Sequence, residues 1–243
     1  MKLSFKTVFR TLWIIFAISF MIYLWAGFQA WDVPGDVLQS NGQIKFSETD
    51  DLISFNAAGS DSLQILFYPG GLTDPMAYTP LARDIAEEGY TIHIVKMPWR
   101  MAQRGYTKIN ELFDLDTPSS HFILAGHSQG AKMAAQYVYE NPGIMQGLIL
   151  MGSSHPRDIN LSHMTIPTLK LYAEHDGLAS PGEVLQNKPK LPANTELVLI
   201  EGGNHAQFGH LGNLFMDDKA TISREEQQQA VLQHITQFLA ERK

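Results

Sequence analysis

The longest feature in the hydrophobic pattern lies at the N-terminus, where Leu12 to Phe28 carries no charge and Ser19 is its one clearly polar side chain. Extended from Thr11 to Trp31, the run predicts a helix ~31 Å long at 1.5 Å per residue, enough to cross a hydrocarbon core. Trp13, Tyr23, Trp25 and Trp31 fall towards its ends, where amphipathic rings favour the headgroup layer. After it the pattern changes to short segments. Alternation in Gln43–Phe46 and Leu52–Phe55, around Glu48-Thr49-Asp50-Asp51, predicts an antiparallel hairpin. Apolar runs then follow at Leu63–Tyr68, Thr91–Lys96, Phe122–Ala125, Leu148–Met151, Pro167–Tyr172 and Glu196–Ile200. Helix-like stretches separate the first of them, near Met76–Glu88, before Pro118, and over Gln129–Glu140. A capping box, Ser223-x-x-Glu226, opens a closing helix with Val231, Leu232, Ile235, Phe238 and Leu239 at helical spacing.

Buried strands alternating with helices predict an α/β fold, a mostly parallel sheet with helices on both faces, preceded by one transmembrane helix. Between Met151 and Pro167 only Gly152 to Ile166 is available, which is loop-sized, so minimal or no cap is expected over the site. The organisation reads as residues 1–31 a membrane anchor, 32–42 a linker marked by Pro34, Gly35 and Gly42, and 43–243 one catalytic domain.

Charge refines the picture at two points. Lys2, Lys6 and Arg10 precede the apolar run and Asp32 and Asp36 follow it, which predicts a cytoplasmic N-terminus and an extracytoplasmic domain. A cleaved signal peptide fits less well, because the apolar stretch is long and each candidate exit places Phe28 where a small residue belongs. The formal charge of −7 argues against nucleic acid, which needs clustered Lys and Arg. With no cysteine, the chain has no disulfide framework and no thiolate metal site.

The candidate chemistry begins at Gly126-His127-Ser128-Gln129-Gly130, between the strand run ending at Ala125 and a helical stretch. G-x-S-x-G at a strand-to-helix corner forces the serine into a strained turn that presents its hydroxyl above the sheet. A serine needs a histidine to take its proton and a carboxylate to orient that histidine. Asp176, after the strand ending near Tyr172, is the candidate acid, with Glu174 its rival two residues earlier. His205, after the strand ending at Ile200, is the candidate base; His210 is five residues late, and His127 reads as structural. Ligand sites in such sheets lie at the carboxyl ends of strands, where all three fall. For the oxyanion, the expected donors are the N–H of Gln129 and that of Gly71 or a neighbour in Pro69-Gly70-Gly71-Leu72. Trp99, Arg100 and Met101, after the Val95 strand, are candidates for the pocket wall; Arg100 could meet a substrate carboxylate, although an arginine there more commonly serves as a solvated surface side chain.

Phe67-Tyr68-Pro69-Gly70-Gly71-Leu72-Thr73-Asp74-Pro75 with Tyr78, Val95-Lys96-Met97-Pro98, the serine pentapeptide, Gly202 to Gly209, and Ala220 to Gln227 together resemble the alpha/beta-hydrolase fold-5 family, from about Gln43 to the C-terminus. The resemblance implies an alpha/beta-hydrolase fold with nucleophile Ser128, acid Asp176 and base His205. The expected activity is a serine hydrolase, carboxylesterase-like, that cleaves a carboxylic ester or thioester through an acyl-enzyme, with no metal or organic cofactor. An acyltransferase would share the same half-reaction, and a non-catalytic binding module could sit on the same scaffold. The expected partners are a small-molecule or lipid-borne ester and the membrane. Neither the pattern nor the family assigns a role to the loop Gly209 to Thr221, which contains Asp217 and Asp218.

Overall fold

In the structure, a computed structural model that describes residues 4–59, 63–117 and 121–242, eight strands form one sheet in the order β1-β2-β4-β3-β5-β6-β7-β8. Lys2 and Pro118, invoked above, lie outside the described residues. The strands are β1 (Ile44–Glu48), β2 (Leu52–Ala57), β3 (Leu63–Tyr68), β4 (Thr91–Val95), β5 (His121–His127), β6 (Gly147–Met151), β7 (Thr168–Ala173) and β8 (Thr195–Ile200). The helices are α1 (Phe5–Gly27), α2 (Thr79–Glu87), the single turn α3 (Ile109–Leu112), α4 (Gln129–Glu140), α5 (Pro181–Asn187) and α6 (Arg224–Ala240).

The predicted hairpin is β1–β2, and β2 also runs antiparallel to β4. From β4 onward every pairing is parallel. Central strands of a parallel sheet are covered on both faces, which is why their sequences are continuously apolar. Ile65, Phe67, Ile123 and Ile149 join α2 and α6 in one core. Leu66, Tyr68, Leu124 and Leu150 join α4 in the other. The capping box at Ser223 forms as read: its hydroxyl accepts the Glu226 N–H while the Glu226 carboxylate accepts the Ser223 N–H. Residues 152–167 form neither helix nor strand, so no cap is built there.

Three local features differ from the sequence reading. The helix α5 was not anticipated, although Ser180 caps it and Pro181 occupies its first turn, because its seven residues carry too short an apolar period. The apolar helix spans 23 residues, from a cap at Ser4 to Gly27, and does not continue to Trp31. It stops where Gly27 meets the domain: a Cβ there would stand 2.6 Å from the Asn213 carbonyl oxygen. Phe28 and Ala30, past the helix, pack against the larger core. The segment read as a linker is also held, with Val37 buried and the Gln39 carbonyl accepting a hydrogen bond from Arg83 at 2.6 Å.

Candidate functional site

The turn between β5 and α4 holds Ser128 at φ 54°, ψ −117°, a strained conformation for a residue with a Cβ. It persists because backbone contacts over-determine it. The Ser128 N–H donates to the Met151 carbonyl at 2.9 Å and its own carbonyl accepts the Lys132 N–H at 3.1 Å. The flanking glycines allow the close approach this requires. A Cβ on Gly126 would stand 2.6 Å from the Gly130 carbonyl carbon, and one on Gly130 would stand 2.1 Å from the Tyr68 carbonyl oxygen. Ser128 thus sits at the carboxyl edge of the sheet, at the start of α4.

The same edge brings Asp176 and His205 together. The Nδ1 of His205 lies 2.8 Å from Oδ2 and 3.0 Å from Oδ1 of Asp176, and both residues are buried. Asp176 Oδ1 also accepts the N–H groups of Leu178 at 2.9 Å and Ala179 at 2.6 Å, so the carboxylate is fixed by its own turn. Glu174 points elsewhere: it accepts the Gly202 N–H at 2.8 Å and its side chain is about half exposed. The carboxylate on Nδ1 places the ring proton there and leaves Nε2 as the free acceptor. His205 stands against the elbow, since its ring centroid is 4.5 Å from that of His127, the residue preceding Ser128.

His127 and Tyr78 tie the elbow to the glycine loop after β3. The Tyr78 hydroxyl lies 2.8 Å from His127 Nδ1 and accepts the Gly70 N–H at 3.0 Å. Burial pushes the Tyr78 pKa up to about 12 and drives that of His127 well below the usual range. Both groups therefore stay neutral near pH 7, and His127 adds no positive charge beside His205. Within the loop the N–H of Gly70 is used by Tyr78, that of Leu72 by the Arg100 carbonyl at 2.6 Å, and that of Thr73 by the Gly70 carbonyl at 3.3 Å. Gly71 is left, and among the described residues its N–H has no partner. Its Cα faces Gln129, for a Cβ there would stand 2.2 Å from Gln129 Oε1. The Gln129 N–H belongs to the first turn of α4, where helical donors have no internal acceptor. The two expected oxyanion donors thus come from segments in direct contact.

Of the three pocket-wall candidates, Arg100 lies on a cleft beside the glycine loop. That cleft, of about 300 Å³ beside Pro69 and Gly70, is lined by Met76, Met97 and Arg100, and not by Trp99 or Met101. Arg100 is already engaged, by Asp74 Oδ2 at 3.1 Å and Gln29 Oε1 at 3.0 Å, because the loops after β3 and β4 and the end of α1 converge on it. Asp217 was visible in the sequence without a role. Its Oδ1 accepts the N–H groups of Gly177 and His205, each at 3.2 Å, and its Oδ2 accepts that of Ala206 at 2.9 Å. It clamps the turn bearing Asp176 to the turn bearing His205. Partial burial raises its pKa against these hydrogen bonds, which pull it down. Among the described residues no cluster of His, Asp and Glu is arranged to hold a metal ion.

Comparison with known proteins agrees with this architecture. An alpha/beta hydrolase enzyme from the metagenome of lagoon sediments at Mar Chica, Morocco, superposes with a TM-score of 0.59 at 17% identity, covering 82% of this chain and 99% of that one. The protein Est1E from Butyrivibrio proteoclasticus gives 0.55 at 14% identity, over 82% and 100%. An alpha-beta serine hydrolase homologue from Coxiella burnetii gives 0.57 at 14% identity, over 82% and 98%. No curated protein sequence is significantly similar to this one. The sequence profile of the alpha/beta hydrolase family matches residues 64–229, from β3 into α6, and the chain belongs to that family.

Proposed function

We propose that the chain is a membrane-anchored serine hydrolase that cleaves a carboxylic ester or thioester through an acyl-enzyme. The observation that carries this reading is the His205–Asp176 pair, at 2.8 Å, set against the strained turn of Ser128. In the proposed reaction Ser128 Oγ attacks the acyl carbon while His205 Nε2 takes the hydroxyl proton. Asp176 keeps the ring in the tautomer that can do so and stabilises the imidazolium. The N–H groups of Gly71 and Gln129 receive the oxyanion, each such donor typically contributing ~3 kcal/mol in the transition state. His205 then protonates the departing alcohol or thiol. Water, deprotonated by the same nitrogen, attacks the acyl carbon; the bond to Ser128 Oγ breaks, His205 returns the proton to that oxygen, and the acid leaves.

The helix α1 is long and apolar enough to cross a membrane, and none of its apolar window is buried in the domain. Lys6 and Arg10 near its start and Asp32 and Asp36 beyond its end favour a cytoplasmic N-terminus and an extracytoplasmic site.

The test is covalent labelling by a fluorophosphonate together with turnover of short p-nitrophenyl esters. Wild type should label and turn over, and Ser128→Ala should do neither while keeping its fold. Asp176→Asn should lower kcat by about 10⁴, far more than Glu174→Gln. Turnover by Ser128→Ala, or greater damage from Glu174→Gln, would overturn the assignment.

A further inference from the structure

The end of α1 is built into the edge of the sheet that carries Ser128 and His205. The Gly212 N–H donates to the Gly27 carbonyl at 3.1 Å, and the Trp31 N–H to the His210 carbonyl at 2.7 Å. Ala30 makes an antiparallel bridge to Leu211, and the Phe28 carbonyl accepts the Asp74 N–H at 2.8 Å. The helix therefore ends against the loops that follow β3 and β8.

One contact sets the depth of that edge. Phe215 meets Phe20 edge to face, with ring centroids 5.5 Å apart. Phe20 lies seven residues before Gly27, so the contact is ~10 Å back along the helix at 1.5 Å per residue. A helix of 23 residues is ~34 Å long, barely more than the ~30 Å hydrocarbon core, so a bilayer around α1 reaches the level of Phe215. Phe215 is nevertheless 51% exposed, and Met216 beside it 71%. Leu72, Trp99 and Leu178, from the loops after β3, β4 and β7, add further exposed apolar side chains on the same edge. Trp99, 81% exposed, is held out by a left-handed backbone at φ 57°. Apolar groups concentrated on one edge mark an interaction surface, and α1 specifies what covers it.

We infer that this edge is a lip that inserts into the bilayer, with Phe215 and Met216 its deepest part, and that the substrate is a lipid-borne ester taken laterally from the adjoining leaflet. The inference rests on the proposed hydrolase and anchor. An acyl chain lying among Leu72, Trp99 and Met216 brings its ester to the level of the oxyanion loop, since Leu72 adjoins Gly71. The lip is rigidly joined to the site, because Asp217, next to Met216, holds the backbones of Gly177, His205 and Ala206.

The chain has no cysteine, so single introduced cysteines report on single positions. Full-length Met216→Cys and Trp99→Cys, labelled with bimane in phosphatidylcholine vesicles, should be quenched by doxyl-labelled lipid. Glu88→Cys, at the opposite edge just before β4, should not. A second arm compares hydrolysis of a diacyl lipid ester in vesicles with that of a short soluble ester. Phe215→Ser with Met216→Ser should lower the ratio of vesicle to soluble turnover at least about tenfold, since the loss of even one buried apolar side chain from lipid costs about that factor. A Met216 label no more quenched than the Glu88 label, or an unchanged ratio, overturns the lip even where Ser128 still reacts with fluorophosphonate. Absence of that labelling in wild type, with Met216 quenched, overturns the hydrolase reading and the lipid-substrate half of the inference.

Discussion

Asp217 accepts the backbone N–H of His205 at 3.2 Å, so a residue twelve positions downstream fixes the turn on which the proposed base stands. The same carboxylate reaches Gly177, one residue past Asp176, so a single side chain sets the separation of acid and base.

The first prediction concerns that clamp. Asp217→Asn keeps the size but replaces one acceptor with an amide that cannot receive the Ala206 N–H or the pair from Gly177 and His205. Loosening the Asp176–His205 geometry should lower kcat about tenfold or more with little change in KM, since misplacement by ~1 Å can cost as much as 10²-fold. Steady-state kinetics with a short soluble ester checks this. A rise in KM at constant kcat would assign Asp217 to substrate binding instead.

The second prediction separates two glycines. A Cβ on Gly130 meets the carbonyl oxygens of Tyr68 and Pro69 at 2.1 and 2.4 Å, and neither backbone can retreat without dislodging β3. Gly130→Ala should cost ~3 kcal/mol of stability. A Cβ on Gly71 meets the tip of the Gln129 side chain, which can rotate away. Gly71→Ala should remain folded, with a urea midpoint near wild type, and lose activity because the added methyl and the displaced Gln129 side chain crowd the space between the two proposed oxyanion donors. Equal losses of stability in the two variants would show that the contacts are equivalent.

What was legible in the sequence was local. Ser128 announced itself because the strand, the glycines and the helix of its turn lie within twenty residues, and Asp176 and His205 because each directly follows an apolar strand. The antiparallel hairpin and the capped α6 were read from neighbours in the chain. Asp217 was not readable, since its role depends on three N–H groups that only the closed fold brings to it. The partners of Arg100 were hidden for the same reason: Asp74 and Gln29 are 26 and 71 residues away. The end of α1 was misplaced because composition marks where a helix can continue, whereas the contact of Gly27 with Asn213 decides where it stops.

The third prediction follows from Lys170. On β7 its side chain points into the apolar core beneath α4, fully buried, with Nζ donating to the Ser153 carbonyl at 2.5 Å and to its hydroxyl at 3.1 Å. Burial lowers its pKa to about 7, aided by the charge of Lys132 and opposed by Asp176. In the unfolded chain the value is ~10.4. Between these pH values the unfolded chain holds a proton that the native state has released, so raising the pH stabilises the fold, by up to ~1.4 kcal/mol per unit. Below about pH 7 both states are protonated and this contribution is flat. Lys170→Met should remove the slope. The check is the difference in urea stability between wild type and variant from pH 7 to 9.5, and a constant difference would contradict it.

The last prediction concerns where the anchor can be cut. Removing residues 1–31 takes away Phe28 and Ala30, which pack on the core, and the hydrogen bonds of Trp31 to His210 and of Asp74 to Phe28. Removing residues 1–24 takes away the apolar helix up to its last turn and leaves these contacts in place. Both fragments should be soluble, but the one beginning at Trp25 should be more stable by ~2 kcal/mol, about the burial of one large apolar side chain. It should also retain more activity, because the loop 210–217 that carries Asp217 keeps its support. Urea midpoints of the two fragments provide the measurement. If the fragment beginning at Asp32 is equally stable and equally active, residues 25–31 belong to the anchor alone, and the contact of α1 with the site carries no energy.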